Sequence, residues 1–392
     1  MKKGGALLND WQRNTRNQPN KSRASSKYPA RRLRGIILGT VATLLMLGAV
    51  MVFSSSAIHA SVDYNDSLFY LKRHCLYLLL GFGLSIWVMM QDLKKYRSWA
   101  FIFAIIACGL LLYTSTMASS THGARRWISI GAFSFQTSEF AKVVFLFYFA
   151  HYLSGLQLPL KGFSKDLMQP AIVLAIGAGS ILLGRDFGSC AVLCILFFIL
   201  IYVSGLPAKY FWRIALVVIP ILLLAIWMEP YRRARLMTFM NPWEVARGGG
   251  FQLVQSLIAI GSGGWFGVGL GQSQQKLLYL PEAHNDFIFA IISEELGLVG
   301  AVGVIVLYSS FALFGWLLIK RLKDRFSRLF CLGGISLISI EAMINIGVNL
   351  GVLPTKGIVL PFISYGGSSL IARMILFAMI LNLSREAVSS KP

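Results

Sequence analysis

The sequence predicts an all-α integral membrane protein with ten transmembrane helices, both termini in the cytoplasm, and a long outward loop between spans seven and eight. Three observations predict it. Of 392 residues, 56% are hydrophobic and only 14% charged, far from the balance of a soluble domain. Ten apolar runs each approach the ~20 residues that cross a bilayer. Between them, the Lys and Arg clusters fall in alternate connections, as retention of positive charge on the cytoplasmic side requires.

Residues 1–34 come first, a basic polar tail with Asp10 its only acid, expected to be disordered and cytoplasmic. The tail is too long and too evenly polar for a signal-peptide n-region, so the first helix should stay uncleaved. The ten-span domain then fills 35–392, with spans expected at 36–57, 75–91, 98–117, 138–155, 169–186, 188–204, 212–229, 286–319, 329–352 and 360–383. Cytoplasmic loops carry Lys94, Lys95 and Arg97; Lys161 and Lys165; Lys209; and Lys320, Arg321, Lys323, Arg325 and Arg328. Topology and anionic lipid account for the net charge of +21 better than nucleic acid does. The cysteines (Cys75, Cys108, Cys190, Cys194 and Cys331) lie in or beside apolar runs without CxxC spacing and read as packing residues, neither disulfides nor a metal site.

Arg125, Arg126, the extracytoplasmic loop 230–285 and Lys356 then face outward, against the charge trend, and this misplaced positive charge points to an anionic ligand. A structureless loop of that length is unusual, and its apolar spacing suggests short interfacial helices. Glycines at 261, 263, 264, 267, 269 and 271 mark a flexible or closely packed turn. No strand precedes them, so they form no dinucleotide fingerprint. No internal repeat is visible, which disfavours a transporter of duplicated halves.

Three groups of residues could carry chemistry. LPEAHNDFIF (280–289) sets Glu282, His284 and Asp286 at the mouth of span eight. Asn285 or Asp286 could simply cap that helix. The sharper reading is a general base at the water–lipid boundary, strengthened by partial burial. GARRWISIGAFSFQTSEFAK (123–142) holds Arg125 and Arg126, and also Glu139 and Lys142, three apart and able to pair on one helical face. The two arginines, with Arg232, Arg233 and Arg235, suit phosphate through the two-pronged guanidinium. In NIGVNLGVLPTKGIVLPFISYGGSSL (345–370), prolines and glycines break a spanning pattern around Lys356, as happens where backbone lines a cavity.

Taken together, these stretches resemble the SEDS family of bacterial shape, elongation, division and sporulation proteins. GARRWI with QTSEFAK, YRRARL with NPW, LPEAHNDFIF with SEELG, and LPTKG with PFISYGGSSL occur in the family's order and spacing. PEAH, LPTKG and the basic tail look more like the division member than the elongation member. The resemblance implies a peptidoglycan glycosyltransferase of septal cell-wall synthesis, in the bacterial cytoplasmic membrane, polymerising lipid II on the outer face. It places Asp286 at the family's catalytic position, with His284 and Glu282 to orient or tune it. Arg125, Arg126, Lys142, Arg232, Arg233, Arg235, Lys356 and Ser368 fall to the pyrophosphate groove. It further implies a class B penicillin-binding protein, a transpeptidase, as partner, beside other divisome proteins. No cofactor is required by the sequence; a divalent cation could assist the leaving group, but no ligand cluster demands one. This chain departs from the family pattern at Thr137 (QTSE for QPSE, expected to loosen the start of span four), Asn285 (HND for HTD), and Arg185 just before Asp186 (GRDFG for QPDxG). The rival functions are a lipid II flippase and a non-catalytic divisome scaffold.

One pair lies outside the motifs. Glu341 in span nine and Arg373 in span ten sit at similar depth on antiparallel neighbours at 1.5 Å per residue. An unpaired charge there is costly, so the two are expected to form a buried ion pair. Glu341, Asn345 and Asn349 also recur at i, i+4 and i+8, a polar stripe suited to helix packing or a cavity wall.

Overall fold

The computed structural model describes residues 29–118, 125–130, 133–157, 163–277 and 280–389. Helices occupy all ten expected runs: α1 (Ala30–Tyr64), α2 (Phe69–Met90), α3 (Ala100–Met117), α4 (Thr137–Gly155), α5 (Met168–Leu183), α6 (Phe187–Val203) and α7 (Ala208–Met228), then, after the long connection, α10 (Ile288–Ile319), α11 (Arg325–Asn349) and α12 (Gly367–Leu383). Among the described residues, seven helices are long and apolar enough to cross a membrane: α1, α2, α3 with its preceding 3₁₀ turn, α7, α10, α11 and α12. The connection between α7 and α10 carries α8 (Pro230–Met240) and α9 (Phe251–Ser262). Pro230 starts α8 at the position where a missing amide costs nothing.

Two boundaries differ from expectation. The tail ending at 34 is too long by five residues, because Ala30 to Arg34 already belong to α1; residues 1–28 lie outside the described residues. Basic side chains made 30–34 look like tail, but arginine is a good helix former. The second difference is a small antiparallel hairpin, β1 (Trp127–Ile130) with β2 (Phe133–Gln136), pairing Trp127 with Gln136. It leads directly into α4. Thr137, expected to loosen that start, instead donates its amide to the Arg126 carbonyl at 3.4 Å and its hydroxyl lies 3.1 Å from that of Thr114. A proline could make neither bond.

Helices α11 and α12 are the core: 67% and 72% of their most apolar windows are buried, against 11% for α7. Around them α12 packs on α2, α11 on α4 and α6, and α10 on α1. The described loops expected in the cytoplasm lie toward one end. There Arg34 donates to the Leu381 carbonyl, Lys94 pairs with Glu386, Arg97 faces Asp324, and Arg325 bonds the carbonyls of Leu156 and Ser204.

Near the opposite end α10 is broken at Gly297, whose φ of 67° and ψ of −165° leave the helical region. The glycine-rich turn repairs the break. Val268 and Gly269 donate to the carbonyls of Glu294 and Glu295, while Leu298 and Val299 donate to those of Gly264 and Trp265. A Cβ on Gly263 or Gly267 would overlap the carbonyls of Ser293 and Glu295, so the glycines permit close approach rather than flexibility. Both acids of the break are consumed nearby: Glu294 accepts from Ser273 and the Gln274 amide, and Glu295 from Lys276 and Ser54 of α1.

Candidate active site

Asp286 sits in the turn just before α10, and that turn is held by its backbone. Asn345 and Asn349 of α11 donate to the Asp286 carbonyl at 2.8 and 3.1 Å. The Asn349 side-chain oxygen accepts the Ala290 amide, and Asn345 also reaches the Ile358 carbonyl at 2.7 Å. From the broken 351–366 segment, Ser364 donates to the Asn285 carbonyl at 2.6 Å and Tyr365 to that of His284. Three consecutive carbonyls are thus fixed, and the Asp286 carboxylate remains available. Neither Asn285 nor Asp286 caps α10; Asn285 donates to Glu282. The asparagine stripe is legible in the sequence, but that it grips this turn is not. Asn345→Leu is expected to cost roughly 1–3 kcal/mol for the carbonyls left bare, with turnover falling as well, measured by thermal unfolding in detergent and by activity.

The carboxylate itself is partly buried. Desolvation, reinforced by the Glu282 charge, pushes its pKa up to about 7, with Arg126 and Arg235 pulling the other way. Gly357 makes room for it: a Cβ there would lie 3.1 Å from Asp286 Oδ2 and 3.7 Å from Arg126 Nη2. His284 is buried, and its ring packs among Tyr70, Tyr365 and His59, with centroids 4.4, 5.7 and 6.5 Å away. Burial lowers its pKa to about 4. It therefore supports the turn as a neutral ring, while Glu282 is the neighbour that tunes Asp286.

Several expected cations gather here. Lys356 lies 3.9 Å above the Phe187 ring; burial lowers its pKa to about 8, with Asp186 opposing the shift. Arg232 approaches the same ring at 5.7 Å and donates to the Ala225 carbonyl. Arg235 donates to the Thr355 carbonyl at 3.1 Å, and Arg126 lies 3.7 Å from Asp186. Arg125 and Arg233 stand further out, the first bonded to the Thr116 carbonyl and the second over Trp227. Among the described residues, no group of three or more His, Cys, Asp or Glu could hold a metal ion.

Two expected groove residues are placed elsewhere. Ser368 is buried and accepts the Gln136 amide at 3.1 Å, tying α12 to β2. Lys142 is 2% exposed and bonds Glu139 at 2.9 Å and Glu341 at 2.7 Å. It cannot offer the same charge to phosphate. Arg373 completes the group, bonding Glu341 through Nε at 2.5 Å and Nη2 at 2.6 Å, and also Glu139. The expected Glu341–Arg373 pair is thus half of a buried tetrad of two acids and two bases, joining α4, α11 and α12 one helical turn from Asn345. Asp186 is a further buried carboxylate, the acid that GRDFG keeps from the family's QPDxG pattern.

The family described as cell cycle protein, covering FtsW, RodA and SpoVE, matches residues 35–389. A probable peptidoglycan glycosyltransferase FtsW of Saccharophagus degradans is 39% identical, over 92% of this chain and 96% of its own. Stage V sporulation protein E of Bacillus subtilis is 38% identical, over 89% and 96%. Among solved structures, one described as structural coordination of polymerization and crosslinking by a peptidoglycan synthase complex superposes with a TM-score of 0.74 at 29% identity, covering 90% of this chain and 98% of that one. The rod shape determining protein RodA of Thermus thermophilus gives 0.67 at 27%, covering 89% and 96%.

Proposed function

The chain belongs to the FtsW, RodA and SpoVE family of cell cycle proteins, and from that premise we propose that it is a peptidoglycan glycosyltransferase polymerising lipid II for the division septum. The observation that carries this is a carboxylate at the mouth of α10, set against Gly357 of the broken 351–366 segment and close to Arg126, with burial pushing its pKa up to about 7. A base working near neutral pH needs that proton affinity. In the step, the 4-hydroxyl of one lipid II's N-acetylglucosamine attacks the anomeric carbon of the growing strand's terminal N-acetylmuramic acid. The new C–O bond forms as the bond to pyrophosphate breaks. Asp286 takes the hydroxyl proton, and undecaprenyl pyrophosphate leaves with the bonding electrons. Arg126, Arg232, Arg235 and Lys356 receive its charge, as preorganised cations do where charge develops.

The helices in all ten expected runs, the shorter ones included, cross the membrane in this reading. The end where Arg34, Lys94, Arg97 and Arg325 cluster is cytoplasmic, which puts Asp286 outside. A class B penicillin-binding protein is the partner, consistent with a structural neighbour described as coordinating polymerization and crosslinking. The test is glycan-strand synthesis from purified lipid II by the full-length chain with that partner. Lipid II transfer across liposomes without any polymer would instead mean a flippase. The rate should also follow a narrow bell against pH. It rises as Asp286 deprotonates near 7 and falls as Lys356 loses its charge near 8. A flat profile across that range would remove both residues from the rate-limiting step.

A further inference from the structure

Asp186 is 5% exposed at the start of α6. Its Oδ1 accepts the Ser189 amide at 3.1 Å and so caps the helix. Oδ2 accepts the Ser138 hydroxyl at 3.0 Å and lies 3.5 Å from Gln136 Nε2. Capping needs no charge, since asparagine and serine cap as well as aspartate. What does need charge is the remaining contact, Arg126 Nη1 at 3.7 Å. The other prong of the same guanidinium, Nη2, stands 3.7 Å from the point where a Gly357 Cβ would sit, and that point is 3.1 Å from Asp286 Oδ2. One guanidinium therefore pairs with Asp186 and stands near a second carboxylate, the base, on which its charge acts.

We propose that Asp186 is a positioning residue that holds the Arg126 guanidinium partly away from Asp286, leaving that carboxylate basic and the guanidinium turned toward the departing pyrophosphate. The proposal rests on Asp286 being the base. Around Asp286, Glu282 from its own turn opposes ionisation, while Arg126 and Arg235 favour it. Asp186 faces Arg126, and it raises the proton affinity of Lys356, which Arg232 and Arg235 lower. Without the Asp186 charge, Arg126 has a single acidic partner left. It then pairs fully with Asp286, and an opposite charge at close range lowers a carboxylate pKa. Asp286 becomes ionised at lower pH and is a weaker base.

The experiment uses the full-length chain with its class B partner and measures kcat/KM for lipid II from about pH 5.5 to about pH 9. Asp186→Asn and Asp186→Ser both keep a cap and remove the charge. Each is expected to move the acid limb down by about one pH unit and to cut the plateau rate roughly tenfold or more. An unmoved acid limb in either variant, with or without a rate loss, overturns the proposal, because a capping or folding role would not move it. In an Arg126→Gln background the displacement should vanish; if it persists, the effect does not run through Arg126 and the proposal fails. Where turnover is too low to titrate, infrared titration of the carboxyl band that is lost in Asp286→Asn reads the same proton affinity without activity. Should Asp286→Asn itself remain active, the base assignment has failed, a result separable from an unmoved limb.

Discussion

Asp286→Asn is expected to abolish glycan polymerisation, lowering the rate by roughly 10²–10⁴-fold, the usual contribution of a positioned general base. The fold should be intact, and the reason is specific. Asn345 and Asn349 hold the Asp286 carbonyl, not its carboxylate, and Ser364 holds the carbonyl of Asn285. An amide has the same shape and leaves every one of these bonds in place. Because Asp286 is pushed toward its neutral form by burial, a neutral amide should not lower the melting temperature at pH 8. The measurement is strand synthesis from lipid II, with complex formation and thermal unfolding as controls. Synthesis retained at more than a tenth of wild type would return Asp286 to a structural role. Glu282, the nearby acid that raises its proton affinity, would be the next base to test.

The second large effect is expected in the tetrad. Arg373→Met leaves Glu139 and Glu341 with only Lys142 between them, a net negative charge buried in the bundle; Glu341→Gln leaves a net positive one. Each single change should cost about 3–5 kcal/mol, the penalty for breaking a buried pair from one side. Combining Glu341→Gln with Arg373→Met in one chain leaves the neutral Glu139–Lys142 pair. The double variant should therefore melt above at least one of the singles. Thermal unfolding of the four proteins in one detergent closes the cycle. Additive losses would show that the four charges do not act as a unit.

These two predictions differ in how far the sequence alone reaches them. Helix runs were legible because hydrocarbon forces long apolar segments, and the depth match of Glu341 and Arg373 follows from helical rise alone. Enlargement to a tetrad was not legible. It depends on how α4 lies against α11 and α12, which no periodicity records, and so Lys142 looked like a groove cation. Asp286 was legible as an acid out of place at a helix mouth. The asparagines that grip it were visible as a stripe, but their partners are carbonyls on a turn whose path the sequence does not draw. Asp186 was hidden for a plainer reason: the expected fifth span ran through residue 186, whereas the acid stands between two helices and caps the second.

The break in α10 has a consequence for the order in which the protein is made. The turn at 263–269 leaves the ribosome before Gly297 and the residues around it, so the donors and acceptors that mend the break are already present when the helix emerges. Ser54 of α1 has by then waited through 241 residues of synthesis for Glu295, its hydrogen-bond acceptor. Until that acid arrives, the first span lacks this clasp, and a ribosome stalled before it would leave α1 without the α10 surface on which it packs.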